Sequence, residues 1–168
     1  MLTTERLIIR PARPDDLDDM FSYMSDARAM AYWSTPPHAD RSVTKEVLDR
    51  MIGRAPPVTY LVFEHKGRVI GMGGRPAGNE IGYILHPDFW RQGFVSEAMN
   101  AIIPYLWQVT DLDHIFADVD PNNTGSCALV QAMGFHETHR KKNTFCINGV
   151  WSDSVYYRLD RPTDTEPT

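Results

Sequence analysis

The sequence predicts an α/β domain, of the α+β kind, in which helices pack against one mixed β-sheet. Runs rich in β-branched and aromatic residues alternate with stretches of helical period, in the order β-α-α-β-β-β-α-β-α-β-β. The dipeptide Asn148-Gly149 separates the last two predicted strands and is the strongest hairpin signal in the chain. With 168 residues, 42% of them hydrophobic, the chain is long enough for one domain with a real core.

The first half of the chain supplies a strand, two helices and two paired strands. Pro11 ends the first strand. Pro14 opens a helix whose first turn is rich in aspartate, which suits the positive end of a helix dipole. The paired strands are joined by a tight turn at His65-Lys66-Gly67. In order, the first strand covers residues 7–11, the helices 14–24 and 41–51, and the paired strands 58–64 and 68–74.

The second half alternates strands with helices and ends in the hairpin. Ser96 is predicted to cap the longest helix, and Gly134 to close the last one. The predicted strands cover residues 80–85, 113–119, 136–147 and 150–159, and the predicted helices cover 96–108 and 124–133. Residues 1–160 are therefore expected to form a single domain, followed by a loose tail at residues 161–168.

Composition and charge exclude several classes of protein. The net charge is -5, from 17 basic and 22 acidic residues, whereas a nucleic-acid-binding face has to be basic. Because no run is long enough to span a membrane and the N-terminus lacks an apolar signal region, we expect a cytoplasmic protein without a membrane partner. Cys127 and Cys146 lack metal-type spacing, and His136 and His139 would point to opposite faces of a strand. We therefore expect reduced thiols and no metal.

The chain is organised around residues 86–98, where a strand ends, a glycine loop follows and a helix begins. The first turn of a helix has main-chain N–H groups without partners and carries the positive end of the helix dipole. A loop glycine, here Gly93, lets such amides gather around an anion, and Arg91 adds a fixed positive charge beside them. The sequence therefore predicts that this loop holds a phosphorylated cofactor.

Several stretches, taken in order, resemble the GNAT acyltransferases, in particular the branch that includes ribosomal-protein N-terminal acetyltransferases. The resemblance runs from near residue 2 to near residue 160. It is carried by the opening strand at 2–11, the strand and loop at 81–98, the helix region at 123–135 and the hairpin at 148–153. It implies the GNAT fold, in which a mixed, mostly antiparallel sheet flanked by helices splays apart after its central strand.

The resemblance also implies acetyl-CoA as co-substrate, without a metal. The splayed edge of the central strand would pair with the pantetheine amides, and the loop amides would face the pyrophosphate. Two residues depart from the commonest family pattern, namely Trp90 and Val95. The predicted cofactor-binding residues are Ile84, Leu85, Arg91, Gln92, Gly93, Phe94, Val95, Ser96 and, near the pantetheine arm, Asn123.

The family moves an acetyl group directly from the thioester to an amine, so a base must accept the amine's proton. We choose Glu80 for this role, although a glutamate there is equally suited to a solvated strand end. The Leu85 N–H is the candidate donor to the carbonyl oxygen. Where many members carry a tyrosine acid this chain has Val130. Ser126 is the substitute proton donor, or else only a helix-start hydrogen-bonding residue.

The acceptor and the assembly remain open at this point. The stiff loop at residues 32–38 is either a wall of the substrate site or only a packed connection, and we assign Trp33 and His38 to substrate binding. A protein N-terminal amine, an amino acid and a small-molecule amine are all compatible acceptors. Exposed edges of the last hairpin make a homodimer plausible. A non-catalytic acyl-CoA-binding sensor domain is the alternative function.

Overall fold

Eight strands form one mixed sheet in the computed structural model, which describes residues 1–163, and four α-helices of these residues flank it. The strands are β1 (Leu2–Thr3), β2 (Ile8–Arg10), β3 (Tyr60–His65), β4 (Arg68–Ala77), β5 (Glu80–Leu85), β6 (His114–Val119), β7 (His136–Ile147) and β8 (Val150–Asp160). The helices are α1 (Leu17–Met24), α2 (Arg41–Ile52), α3 (Phe94–Val109) and α4 (Thr124–Ala132), with short 3-10 turns at Pro14–Asp16 and Pro87–Phe89. The predicted fold class is confirmed, and so is the predicted element order, apart from the two-residue strand β1, which was not predicted.

The sheet splays in its middle. Its strand order is β1-β2-β3-β4-β5-β6-β8-β7, and every neighbouring pair is antiparallel except β5 and β6. These two parallel strands share a single register pair, Glu80 with Phe116, where the Phe116 N–H donates to the Asn79 carbonyl at 2.9 Å. Beyond that pair the strands part, so the gap-facing edge of β5 has no strand partner over most of its length.

Two hydrophobic clusters cover the two faces of the sheet. Successive side chains of β5 point to opposite faces of the sheet, so they are divided between the two clusters. Ile81 and Leu85 pack with α3 and α4, where Ile102 and Leu106 are fully buried, whereas Ile84 packs with α1 and α2. Burying one such aliphatic side chain contributes about 1.5–3 kcal/mol. The central strand is thus held from both sides while its edge stays open.

The longest helix begins two residues earlier than predicted. Its N-cap is Gly93, at φ 79°, and α3 starts at Phe94, so the prediction of Ser96 as the cap is wrong. A left-handed residue turns the chain sharply at little cost only when it is glycine. Gly93 therefore allows the helix to start at once, and Ser96 lies inside the first turn.

The C-terminal part is mostly as predicted. Asn148 and Gly149 both have positive φ, at 51° and 81°, and join β7 to β8 as the hairpin signal indicated. Arg161 was assigned to a loose tail, and this is wrong for that residue. Its guanidinium donates to the carbonyls of Leu112 and Trp107, and its N–H to that of Asp113 at 2.8 Å. Residues 164–168 of the predicted tail lie outside the described residues.

Two further predictions concern membrane insertion and dimerisation. Across residues 1–163 none of the helices combines the length and the apolar character that crossing a bilayer requires. The last strand of the sheet, β7, is largely exposed and pairs only with β8 among the described strands. A homodimer through such an edge stays a prediction.

Candidate active site

The gap between β5 and β6 opens into a cavity of about 550 Å³. Both strands line it, together with the start of α3, the start of α4 and the loop after α1. The divergence of the strands opens this space, because β5 and β6 separate after one register pair. The residues predicted for the cofactor that line the cavity are Ile84, Leu85, Arg91, Gly93, Phe94, Val95, Ser96 and Asn123.

The start of α3 presents free main-chain donors at one end of this cavity. The first N–H of the helix with a partner in residues 1–163 is that of Glu97, which donates to the Gly93 carbonyl at 2.9 Å. The amides of Gly93 to Ser96 have no partner among the described residues. They carry the positive end of the dipole of a 16-residue helix, and Arg91, at φ 57°, lies beside them. The arrangement suits a phosphate or diphosphate.

A buttress formed by Arg6 and Glu97 holds this loop. Glu97 accepts hydrogen bonds from the Thr4 hydroxyl at 2.5 Å, the Arg6 N–H at 2.8 Å and the Arg6 Nε at 2.6 Å. Arg6 Nη1 also donates to the Gln92 carbonyl at 2.8 Å, and its guanidinium stacks on the Phe94 ring at 4.2 Å. Burial opposes ionisation of Glu97, but the bonds from Thr4 and Arg6 outweigh it and lower its pKa.

The sequence analysis did not predict this buttress, although it singled out both stretches that contain its residues. Arg6 lies in the opening stretch and Glu97 in the loop stretch, and no periodicity relates residues so far apart. Gln92 does not line the cavity, and the prediction that its main-chain amide faces a pyrophosphate stays a prediction. Its carbonyl is taken by Arg6 and its side-chain Nε2 donates to the Asp88 carbonyl at 3.0 Å, so Gln92 braces the loop.

The open edge of β5 presents alternate residues to the gap. His86 donates its N–H to the Ile70 carbonyl at 2.8 Å, and Ile84 is in register with Met72 of β4. Main-chain groups alternate sides along a strand, so those of Ile84 face β4 and those of Tyr83 and Leu85 face the gap. The predicted main-chain pairing of Ile84 with a cofactor is therefore wrong, and only its side chain lines the cavity.

The Leu85 main chain ends the open edge beside the loop. Its carbonyl accepts from the Trp90 indole N–H at 2.9 Å, which explains how a tryptophan fits at this departure from the family pattern. Its N–H has no partner among the described residues and faces the gap. This is the geometry required of a donor to a carbonyl oxygen bound in the gap.

A pair of hydroxyls lies on opposite walls of the cavity. The Tyr83 hydroxyl on β5 is 2.7 Å from Ser126 Oγ on α4. Asn123 caps α4, since its Oδ1 accepts from the Ser126 N–H at 3.1 Å. The capping role therefore belongs to Asn123, and the Ser126 hydroxyl reaches across to Tyr83. Burial raises the pKa of Tyr83 to about 12, although its hydrogen bond with Ser126 acts in the opposite direction.

Tyr83 was not predicted as a site residue. The available signal was its position two residues before Leu85, which puts both on one face of the strand. The position of the family's usual tyrosine, Val130, is fully buried in the core between α4 and the sheet.

A second cavity of about 260 Å³ adjoins the first and shares Trp33, Gly82, Asp118 and other residues with it. Glu80 lies on this cavity and does not line the first one. Burial and the nearby charge of Asp118 raise the pKa of Glu80. Asp118 Oδ1 is buried without a hydrogen-bond partner in the described residues. The remaining walls include Tyr32, Asp120 and, from the last hairpin, Phe145 and Ile147.

The two residues assigned to substrate binding have different positions. Trp33 lines both cavities, so its loop is a wall of the site. His38 lines neither and is buried, with Nδ1 2.8 Å from Thr44 Oγ1 and its N–H bonded to the Met24 carbonyl. Burial, and then the charge of Arg50, lower its pKa. His38 thus ties the loop to α1 and α2, and its assignment to substrate binding is wrong.

The described part of the chain contains no group of three His, Cys, Asp or Glu side chains arranged to hold a metal ion. Both cysteines are free.

Residues 6–136 match the model of the acetyltransferase (GNAT) domain. The chain is 31% identical over 147 residues to the uncharacterized N-acetyltransferase p20 of Bacillus licheniformis, covering 81% of this chain and 82% of that protein. It is 29% identical over 82 residues to the ribosomal protein uS5-alanine N-acetyltransferase of Escherichia coli (strain K12), covering 49% of this chain and 42% of that protein.

Solved structures share the fold. An acetyltransferase (GNAT family) from Bacillus anthracis has a TM-score of 0.83 at 23% identity, covering 95% of this chain and 97% of that chain. Spermidine N-acetyltransferase from Vibrio cholerae, in complex with CoA and spermine, has a TM-score of 0.79 at 21% identity, covering 94% and 96%. At these identities the likeness is one of fold.

Proposed function

The chain belongs to the acetyltransferase (GNAT) family, and on that premise we propose that it transfers an acetyl group from acetyl-CoA to a primary amine. The observation that carries the proposal is the parting of β5 from β6 after one register pair. It creates a cleft with free amide donors at one end and carboxylates at the other. An acyl-CoA has its phosphates at one end and its reactive thioester at the other, so it fits this polarity.

We propose that the cofactor lies along the first cavity. The amides of Gly93 to Ser96 and the charge of Arg91 would hold the pyrophosphate, and the gap-facing main chain of Tyr83 and the Leu85 carbonyl would pair with the pantetheine amides. Asn123 would contact the same arm from α4. The similar spermidine acetyltransferase of known structure was crystallised with CoA, which supports this assignment.

Two groups would carry the chemistry. The Leu85 N–H would donate to the oxygen of the thioester carbonyl as negative charge develops there. Glu80 would accept the proton of the attacking amine through ordered water, because about 16 Å of strand separates it from Leu85. A raised pKa makes Glu80 a stronger base when it is ionised, and the carboxylate form is the active one. Activity should therefore rise as the pH rises through the pKa of Glu80.

The lining of the second cavity restricts the acceptor. Glu80, Asp118 and Asp120 carry negative charge there, and Tyr32 and Trp33 supply aromatic walls. Such a lining attracts a protonated amine and repels the carboxylate of a free amino acid. We therefore propose a protein N-terminus or a small-molecule amine without a neighbouring carboxylate as the acceptor.

We further propose that the chain belongs to the branch that includes ribosomal-protein N-terminal acetyltransferases. The opening strand, the loop, the helix region and the hairpin resemble that branch, and the identity to the uS5-alanine enzyme supports it. The free thiols of Cys127 and Cys146 support the cytoplasm as its compartment.

Release of free CoA thiol, measured with a panel of N-terminal peptides, polyamines and amino acids, tests this function. We expect release with peptides or polyamines and little with amino acids. Calorimetry with CoA should be run in parallel. Tight CoA binding without release for any acceptor would favour the alternative, an acyl-CoA-binding sensor domain, and absence of CoA binding would contradict both functions.

A further inference from the structure

We propose that Tyr83 and Ser126 act as one hydrogen-bonding unit that stabilises the CoA thiolate as it leaves. In this unit Ser126 donates to the sulfur, and Tyr83 positions and polarises the Ser126 hydroxyl. The inference rests on the proposed function, since it concerns the same cleft. It assigns a role to Tyr83, a residue of β5 that the sequence did not predict as part of the site.

The first step is the position of the pair. Both residues line the first cavity, and their oxygens are 2.7 Å apart across it. Leu85 follows Tyr83 by two residues on the same face and edge of β5, about 7 Å along the strand. We place the sulfur of a thioester whose carbonyl oxygen is held by the Leu85 N–H on the side of this pair, toward α4. Val130 cannot supply a donor because its side chain is apolar and fully buried.

The second step is the direction of the hydrogen bond. The 2.7 Å contact allows either hydroxyl to donate. Because a phenol is more acidic than an aliphatic alcohol, we take Tyr83 as the donor and the Ser126 oxygen as the acceptor. The Ser126 N–H is already taken by Asn123, and its hydroxyl has no partner other than Tyr83 among residues 1–163. The proton of Ser126 is then free to point into the cavity. Accepting one hydrogen bond strengthens the one that Ser126 gives.

The third step is the balance of the reaction. The lone pair of the amine nitrogen forms the C–N bond, the C–S bond breaks, and its electron pair leaves on sulfur. The proton of the amine passes to Glu80 and on to water, and the thiolate later takes a proton from water. Tyr83 keeps its own proton throughout, because its pKa of about 12 is well above the value of about 8.5 for an ordinary thiol.

The test uses CoA itself and needs no acceptor. The ultraviolet absorbance of the thiolate is titrated with pH for CoA bound to the protein, and the protein alone serves as blank. In the native protein the bound thiol should have a lower pKa than free CoA. Losing a hydrogen bond to a charged group would raise that pKa by about one pH unit. Tyr83→Phe keeps the ring and removes only the bond that polarises Ser126, so it should raise the pKa by a measurable part of that unit.

A double-mutant cycle distinguishes a positioning role from a direct one. Ser126→Ala should raise the bound thiol's pKa at least as much as Tyr83→Phe, and the double variant should add nothing to Ser126→Ala. Tyr105→Phe is the matched control, since the Tyr105 hydroxyl donates to the Val58 carbonyl outside the cavity. It should leave the thiol's pKa unchanged.

An unchanged thiol pKa in Tyr83→Phe, or in Ser126→Ala should Tyr83→Phe not fold, would overturn the proposal. Additive effects of the two substitutions would overturn the positioning role of Tyr83. If such results accompany normal release of thiol with amines, the proposed function stands and only this inference fails. A native protein that does not bind CoA would overturn both.

Discussion

The cofactor end of the cleft is braced by hydrogen bonds, whereas the acceptor end holds charged groups that have few partners. At the first end Glu97 alone accepts three hydrogen bonds within 2.8 Å. At the other end Asp118 Oδ1 is buried without a partner in the described residues, and Glu80 has a raised pKa. The comparison shows that hydrogen bonds fix the loop proposed to bind phosphate before any ligand is present. The acceptor end instead has carboxylate oxygens without partners, and a bound amine could donate hydrogen bonds to them.

The largest effect is expected at the braced end. Gly93→Asp should weaken CoA binding by about 100-fold or more, because it adds a negative charge beside the pyrophosphate site, strains the left-handed φ and places its Cβ 3.5 Å from Arg6 Nη2 of the buttress. Calorimetry with CoA measures the loss. Gly93→Asn tolerates the same left-handed φ without the charge and should bind much better than Gly93→Asp.

Gly78→Asp is the second control. Gly78 also has a positive φ, and a side chain there would meet no atom within 4 Å. It should leave CoA affinity unaffected. Equal affinity of the Gly93→Asp variant and the native protein would remove the loop as the anion site.

The next effect belongs to the acceptor end. Glu80→Gln should lower kcat by about 100-fold, the typical contribution of a general base, and leave CoA affinity near normal. In the native protein the rate should rise with pH through the pKa of Glu80. This rising limb of the pH–rate profile should be missing in the Glu80→Gln variant. The pH dependence of thiol release measures both. A variant that keeps the limb would show that the titrating base is another group.

A smaller effect is expected from the buttress. Arg6→Ala should weaken CoA binding about 10-fold and lower the free energy of unfolding by about 1–2 kcal/mol, because Glu97 loses its charged partner. Because the pKa of Glu97 is lowered in the folded protein, its interaction with Arg6 contributes to the free energy of unfolding at neutral pH. This contribution is lost as the pH falls through the pKa of Glu97. The difference in the free energy of unfolding between Arg6→Ala and the native protein should therefore shrink below about pH 4.

Thermal unfolding as a function of pH measures the stability part of this prediction. Arg41→Ala is the matched control, because the Arg41–Asp18 ion pair is exposed, at 62% and 77% of the side chains, and such pairs contribute little. A pH-independent deficit in Arg6→Ala would mean that packing on Phe94 is the main contribution of Arg6.

The same comparison explains what the sequence revealed. The loop around Gly93 was predictable because its strand, glycine and helix start are contiguous. The start of α3 was misplaced, because a glycine in left-handed conformation was not considered as the N-cap. Arg6 and Tyr83 were missed because their partners, Glu97 and Ser126, are 91 and 43 residues away. His38 was misassigned because burial decides its role, and a loop sequence does not reveal burial.

Amide hydrogen exchange with and without CoA tests most directly whether the parted strands and the helix start form the CoA site. Bound CoA should slow the exchange of the amides of residues 93–96 and of Leu85, while the amides of the exposed strand β7 should exchange at the same rate. Saturating CoA with no change at residues 93–96 would contradict the assignment.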